Sequence, residues 1–149
     1  MALISFGGRG AELLLPPTRS LARAKRNLGA LPGGGGTPLA AGIEAAHALA
    51  ETVRRKGHTA SIVLLTDGHA NLDRRGRPGR GAAEEDALSA AKAVKAANFA
   101  VLLIDTSRLP QPQSARLAAA MGAKYFPLPH ADARGLSKVV RSQVHAGSA

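Results

Sequence analysis

The sequence predicts an α/β fold: an open, mostly parallel, doubly wound sheet with helices on both faces and one antiparallel edge strand. Three observations carry this. The runs Ala60–Leu65 and Phe99–Ile104 are apolar without alternation, as strands covered on both faces are. The stretches around them place small aliphatic residues at spacings of three and four, the period of helices packed on a sheet. Strands that alternate with helices in this way form parallel sheets through crossover connections.

Taken in order, Leu3–Phe6 is a short apolar run closed by Gly7-Gly8, and Ala11–Leu15 follows until Pro16-Pro17 stops it. The gap between the two suits an antiparallel hairpin. Ser20–Leu31 reads as a helix with Leu21, Ala24 and Leu28 on one face. Pro38–Lys56 is the clearest helix, with Leu39, Ile43, Ala46, Ala50 and Val53 in register and Gly57 to end it. Its last turn holds Arg54, Arg55 and Lys56, where the helix dipole favours cations, so the cluster reads as solvated surface. The strand at Ala60–Leu65 leads into a glycine- and arginine-rich loop, His69–Ala82.

A helix is expected over Ala83–Ala97, with Glu84, Glu85 and Asp86 in its first turn as dipole complement. The strand at Phe99–Ile104 ends in Asp105-Thr-Ser107. After Pro110-Gln-Pro-Gln113 a short helix runs through Met121, then a short strand at Lys124–Pro127 and a last helix over Asp132–Val144.

The 149 residues fit one domain, 1–149, with a single core. There is no cysteine, which excludes disulfides and thiolate metal sites and fits a reducing cytoplasm. No apolar run approaches the roughly 20 residues that span a bilayer. The formal charge of +10 favours acidic partners. Nucleic acid is an unfavoured partner, because the arginines are scattered and few aromatics lie among them for base stacking.

The informative motif is Gly33-Gly-Gly-Gly-Thr37-Pro38, a glycine loop that delivers a threonine to the start of a helix. As a phosphate loop it fails, because no Gly-Lys-Ser/Thr follows and Pro38 lacks an amide hydrogen. As plain structure, Thr37 is an N-cap with Pro38 at the first helical position. As a cation site, Thr37 offers a hydroxyl and Asp67, at the end of a parallel strand, offers a carboxylate; hard cations such as Mg²⁺ take oxygen ligands. In open α/β sheets ligands bind beyond the carboxyl ends of the strands, where Thr37, Asp67 and Asp105 are all expected.

Gly-Gly-Gly-Gly-Thr-Pro-Leu (33–39) followed by Leu-Leu-Thr-Asp-Gly-His-Ala-Asn (64–71) resembles the von Willebrand factor A family. More narrowly, these motifs resemble the C-terminal domain of magnesium chelatase D subunits. Residues 2–6, 102–107 and 121–129 agree, so the likeness covers essentially the whole chain. The resemblance implies a metal-ion-dependent adhesion site. Its parts are an Asp-x-Ser-x-Ser motif after the first, central strand, a threonine matched by Thr37 and an aspartate matched by Asp67. A partner's acidic side chain completes the metal.

The sequence departs from the family in having no Asp-x-Ser-x-Ser; Asp105-Thr-Ser107 ends a different strand and lacks the second serine. The chain opens on what resembles the family's second strand. It is therefore expected to be an N-terminally truncated piece of a larger subunit, with weakened Mg²⁺ affinity.

The implied function is that of a partner-recognition domain in the ATP-dependent enzyme that inserts Mg²⁺ into protoporphyrin IX for (bacterio)chlorophyll synthesis. The implied partners are the ATPase subunit and the porphyrin-binding subunit of that enzyme, with ATP used by the complex and not bound by this domain. No catalytic residue is expected here, and the five histidines (47, 58, 69, 130, 145) show no ligand spacing. A von Willebrand A adaptor of another chelatase, such as cobalt chelatase, or of another AAA+ system would share Thr37 and Asp67.

Overall fold

The computed structural model describes residues 2–7, 10–18, 20, 22–23, 26, 37–67, 70, 78–129 and 133–146. Their elements are β1 (Leu3–Gly7), β2 (Gly10–Leu15), α1 (Leu39–Arg55), β3 (Ser61–Thr66), α2 (Arg80–Ala96), β4 (Ala100–Asp105), α3 (Pro112–Met121), β5 (Lys124–Pro127) and α4 (Ala133–Ala146). The helix expected over Ser20–Leu31 and the glycine loop lie largely outside the described residues. So does most of the loop after Asp67.

Strands β3, β4 and β5 form a parallel sheet in that order, and β1 and β2 pair antiparallel as a separate two-stranded sheet. Among the described residues β3 therefore has one strand neighbour, β4. Helix α1 packs against both sheets, touching β1, β2 and β3.

The main core lies between the parallel sheet and three helices. Ile62, Leu64, Val101 and Leu103 of the strands pack with Leu39 and Ile43 of α1, Ala87, Ala91 and Val94 of α2, and Leu117 and Met121 of α3. Alanine is frequent on α2, and small side chains let helices approach each other and the sheet closely; α1 contacts α2, and α2 contacts α3. The opposite face is smaller: Leu102 and Ile104 of β4 are covered by Val139 and Val140 of α4 together with Leu128.

Two expectations change. Strand β4 is buried on both faces, as its run of apolar residues implies, but β3 alternates. Ile62, Leu64 and Thr66 are buried, whereas Val63 and Leu65 are 40% and 46% exposed. The reason is coverage: α4 sits over Leu102 and Ile104, and nothing comparable covers the neighbouring β3 side chains among the described residues.

The helix expected from Ala83 begins earlier, at Arg80, with Gly79 as N-cap at φ 150°. No acid then lies in its first turn. Glu84, Glu85 and Asp86 therefore stand beyond the turn where the dipole is strongest, and the dipole does not account for them.

The remaining boundaries follow local chemistry. Pro112 opens α3, and Gly122 ends it in the left-handed conformation at φ 65°. In this conformation a side chain is strained, which is why glycine is common there.

Candidate functional site

Thr37 stands two residues before α1 and Asp67 immediately after β3. Leu39, two residues after Thr37, and Ala70, three after Asp67, line the same cleft with Glu84, Leu88, Gln113 and Arg116. Thr37 and Asp67 themselves are not among the residues that line this cleft, which α2 and α3 flank. Thr37 is half-buried and Asp67 is exposed.

The alternative role for Thr37 shifts by one position. Pro38 occupies the N-cap and α1 starts at Leu39, whose N–H donates to the Thr37 carbonyl at 3.0 Å. The ring of Pro38 can offer no capping hydrogen bond.

A hydroxyl and a carboxylate are the donor types a hard divalent cation takes. Two such groups leave most of an octahedral shell to water or to groups from elsewhere. Among the described residues, no set of three or more His, Asp or Glu side chains gathers to hold a metal.

Asp105 ends β4 beside this edge, paired in register with Thr66. Unlike Asp67 it is fully buried. Its Oδ1 accepts the Ser107 backbone N–H at 2.9 Å and the Ser107 hydroxyl, and its Oδ2 accepts the Tyr125 phenol at 2.7 Å. Ser114 Oγ, buried and without a hydrogen-bond partner among the described residues, lies near the same carboxylate.

Burial works against the charge of Asp105, but the hydrogen bonds from Ser107 and Tyr125 outweigh it and hold the carboxyl below its ordinary range. Burial and the same bond push the Tyr125 phenol up to about 12, so it stays a donor at neutral pH. The next residue ties this hub to β3: Thr106 donates to the Thr66 carbonyl from its N–H at 2.9 Å and its hydroxyl at 3.3 Å. In the sequence Asp105-Thr-Ser107 stands out only as an imperfect metal motif. Its structural use depends on Tyr125, too far along the chain for spacing to reveal.

Arg54 also has a use beyond solvated surface. Its guanidinium lies 4.2 Å from the Phe99 ring centroid and donates to the Ala97 carbonyl at 2.6 Å and to Glu51 at 2.7 Å. It cross-links the end of α1 to the turn between α2 and β4. The bond from Arg54 opposes the lesser effect of burial and lowers the Glu51 pKa.

His47 meets Phe99 edge-on, with 5.7 Å between ring centroids, and His58 is exposed. His69 and His130 lie outside the described residues, as do Arg74, Arg75 and Arg77 of the arginine-rich loop. No helix among the described residues is long and apolar enough to cross a membrane.

Comparison with known proteins agrees with the fold. Residues 1–69 match the model of the von Willebrand factor type A domain. The chain is 49% identical over 140 residues to the magnesium-chelatase 60 kDa subunit of Cereibacter sphaeroides, a match over 94% of this chain and 25% of that protein. It is 42% identical over 146 residues to the corresponding subunit of Rhodobacter capsulatus, over 98% of this chain and 26% of that protein. The chain thus spans about a quarter of the length of these relatives.

Among solved structures, the SpRpn10 VWA domain superposes with a TM-score of 0.65 at 19% identity, over 87% of this chain and 65% of that one. At that identity the likeness concerns the fold alone. Residues 1–69 of the chain thus match the von Willebrand factor type A domain, and nearly the whole chain is similar to about a quarter of the 60 and 67 kDa subunits of magnesium chelatase.

Proposed function

We propose that this domain recognises a partner subunit within a magnesium chelatase, through a Mg²⁺ held by Thr37 and Asp67 and completed by a carboxylate of that partner. The reading is supported by similarity to chelatase subunits along nearly the whole chain, and by the positions of Thr37 just ahead of α1 and Asp67 at the end of the parallel strand β3. Thr37 would supply a neutral oxygen and Asp67 an anionic one. The bound ion would give the edge a directional contact for a carboxylate. This resident Mg²⁺ is distinct from the Mg²⁺ that the enzyme inserts as substrate.

The partners under this reading are the ATPase subunit and the porphyrin-binding subunit of the chelatase, acting in the cytoplasm. ATP is consumed elsewhere in the complex, since this sequence has no phosphate-loop motif. The domain contributes recognition to a nitrogen–metal ligase and carries none of its chemistry. Its net charge of +10 supports fast encounter with acidic surfaces.

The test is capture of the purified ATPase and porphyrin-binding subunits, at fixed Mg²⁺ and ATP, by the intact protein and by its Thr37→Ala variant. Weaker capture by a variant of unchanged thermal stability is expected; equal capture sinks the metal bridge.

A further inference from the structure

The turns at the amino ends of the parallel strands gather positive charge. Because β3, β4 and β5 are parallel, the turns that lead into them from α1, α2 and α3 share one end of the sheet. This end is opposite the one where Thr66 and Asp105 close their strands. Arg54, Arg55 and Lys56 end α1, Lys92 and Lys95 stand on the last turns of α2, and Lys124 opens β5. Across residues 51–60, 92–100 and 119–126 the sequence has one carboxylate, Glu51, and Arg54 already holds it at 2.7 Å.

The three turns form one surface. Arg54 donates to the Ala97 carbonyl at 2.6 Å, which joins the end of α1 to the turn before β4. The Lys95 side chain passes beside Gly122, where a Cβ would stand 3.2 Å from its Cγ, so the end of α2 reaches the turn before β5. Arg55, Lys56, Lys92 and Lys95 are exposed, and none forms an ion pair among the described residues. Helix dipoles compensate only part of this charge. Each helix C-terminus carries about half a negative charge, roughly −1.5 for three ends, against the six cations and one carboxylate just named.

The chemistry of the surface selects among polyanions. Phosphate groups are favoured at helix N-termini, whereas three helix C-termini meet here. Phe99, in the turn before β4, is buried with Arg54 over its ring and His47 at its edge, so it offers no face for base stacking. The exposed large hydrophobic residues described (Leu13, Val63, Leu65, Leu109 and Phe126) all lie outside these turns, which gives a bilayer nothing to take up.

We propose that this basic end of the sheet docks an aspartate- and glutamate-rich segment of a partner protein, whose carboxylates pair with Arg55, Lys56, Lys92 and Lys95. The contact stands at the end of the sheet away from Asp67, and it needs no metal.

The experiment measures binding of labelled poly-L-glutamate to the intact protein in EDTA, which removes any contribution from a bound divalent cation. Arg55→Glu combined with Lys95→Glu should weaken binding roughly 10- to 100-fold at low salt and less at high salt, at unchanged thermal midpoint. Lys92→Gln with Lys95→Gln, which only neutralises, should give a smaller loss in the same direction. The control, Arg134→Glu with Lys138→Glu, makes the same change of charge on exposed residues at the start of α4, at the other end of the sheet. It should bind within about threefold of the parent, because charges farther away than a Debye length are screened. Equal losses in the two double reversals would mean that net charge alone attracts the probe, and they overturn the proposal, as does failure of the parent to bind. Oligo-dT and phosphatidylserine vesicles at equal charge should displace the probe poorly. Displacement by either as effective as that by unlabelled poly-L-glutamate overturns the assignment to an acidic polypeptide.

Discussion

Asp67 and Asp105 close neighbouring parallel strands, one step apart in register, yet they meet opposite surroundings. Asp67 is exposed at the lip of the sheet. Asp105 is fully buried and receives Ser107 twice and Tyr125 once, with Ser114 near it. The hydrogen-bonding capacity of one carboxylate is used inside the fold. The other stands exposed at the end of β3. An aspartate after an apolar strand is thus no functional signal by itself; the donors that later segments bring to it decide its use.

The sharpest way to break this comparison is to remove each carboxylate. Asp105→Ala leaves Ser107 and Tyr125 without their acceptor and should cost about 2–4 kcal/mol of stability, more than Asp67→Ala at the exposed end of β3. Urea unfolding of the two variants reads the difference directly, and equal losses would erase the distinction.

The pH dependence should separate the aspartates next. The Asp105 carboxyl is held below its ordinary range, so its stabilisation is complete above the unfolded value, about 3.9, and is lost as pH falls through the folded one. Thermal midpoints of Asp105→Asn should show a flatter acid limb than the parent. The phenol of Tyr125 has the opposite sign. Its contribution is complete below the unfolded value, about 10, and is lost as pH rises towards about 12.

Smaller changes refine the hub. Tyr125→Phe keeps the ring and removes one donor to a charged acceptor, for an expected loss of about 1.5–3 kcal/mol in the same urea assay. Gly122→Ala lies outside the hub. It should cost about 1 kcal/mol through its positive φ alone, since the added methyl would meet only the flexible Lys95 chain, at 3.2 Å. A larger loss there would mean that α3 transmits strain to Ser114.

Much of the fold was legible because it rests on local patterns. The hairpin, the parallel strand at Lys124–Pro127 and the helices over 39–55 and 112–121 all lie within a residue or two of where apolar spacing, proline and glycine put them. Coverage was not legible. The runs Ile62–Leu65 and Val101–Ile104 are equally apolar, and only the position of α4 makes the second strand doubly buried.

The start of α2 was misread because Arg80-Gly81 looks like loop, although Ala83 N–H already bonds to the Gly79 carbonyl at 3.0 Å. At the site, Thr37 and Asp67 are expected from the glycine loop, the strand-end aspartate and the motif resemblance. Arg54 and Asp105 were underread because their partners, Phe99 and Ala97 for one and Tyr125 for the other, come from distant segments.

The central claim is that the Asp67 edge takes a divalent cation and the Asp105 hub does not. Its most direct test is thermal unfolding of the domain with and without millimolar Mg²⁺, for the parent, Thr37→Ala, Asp67→Asn and Asp105→Asn. A cation that binds only the folded state must raise the midpoint. The account predicts a rise in the parent and in Asp105→Asn, with none in Thr37→Ala or Asp67→Asn. No rise in the parent, or an equal rise in all four, would contradict it.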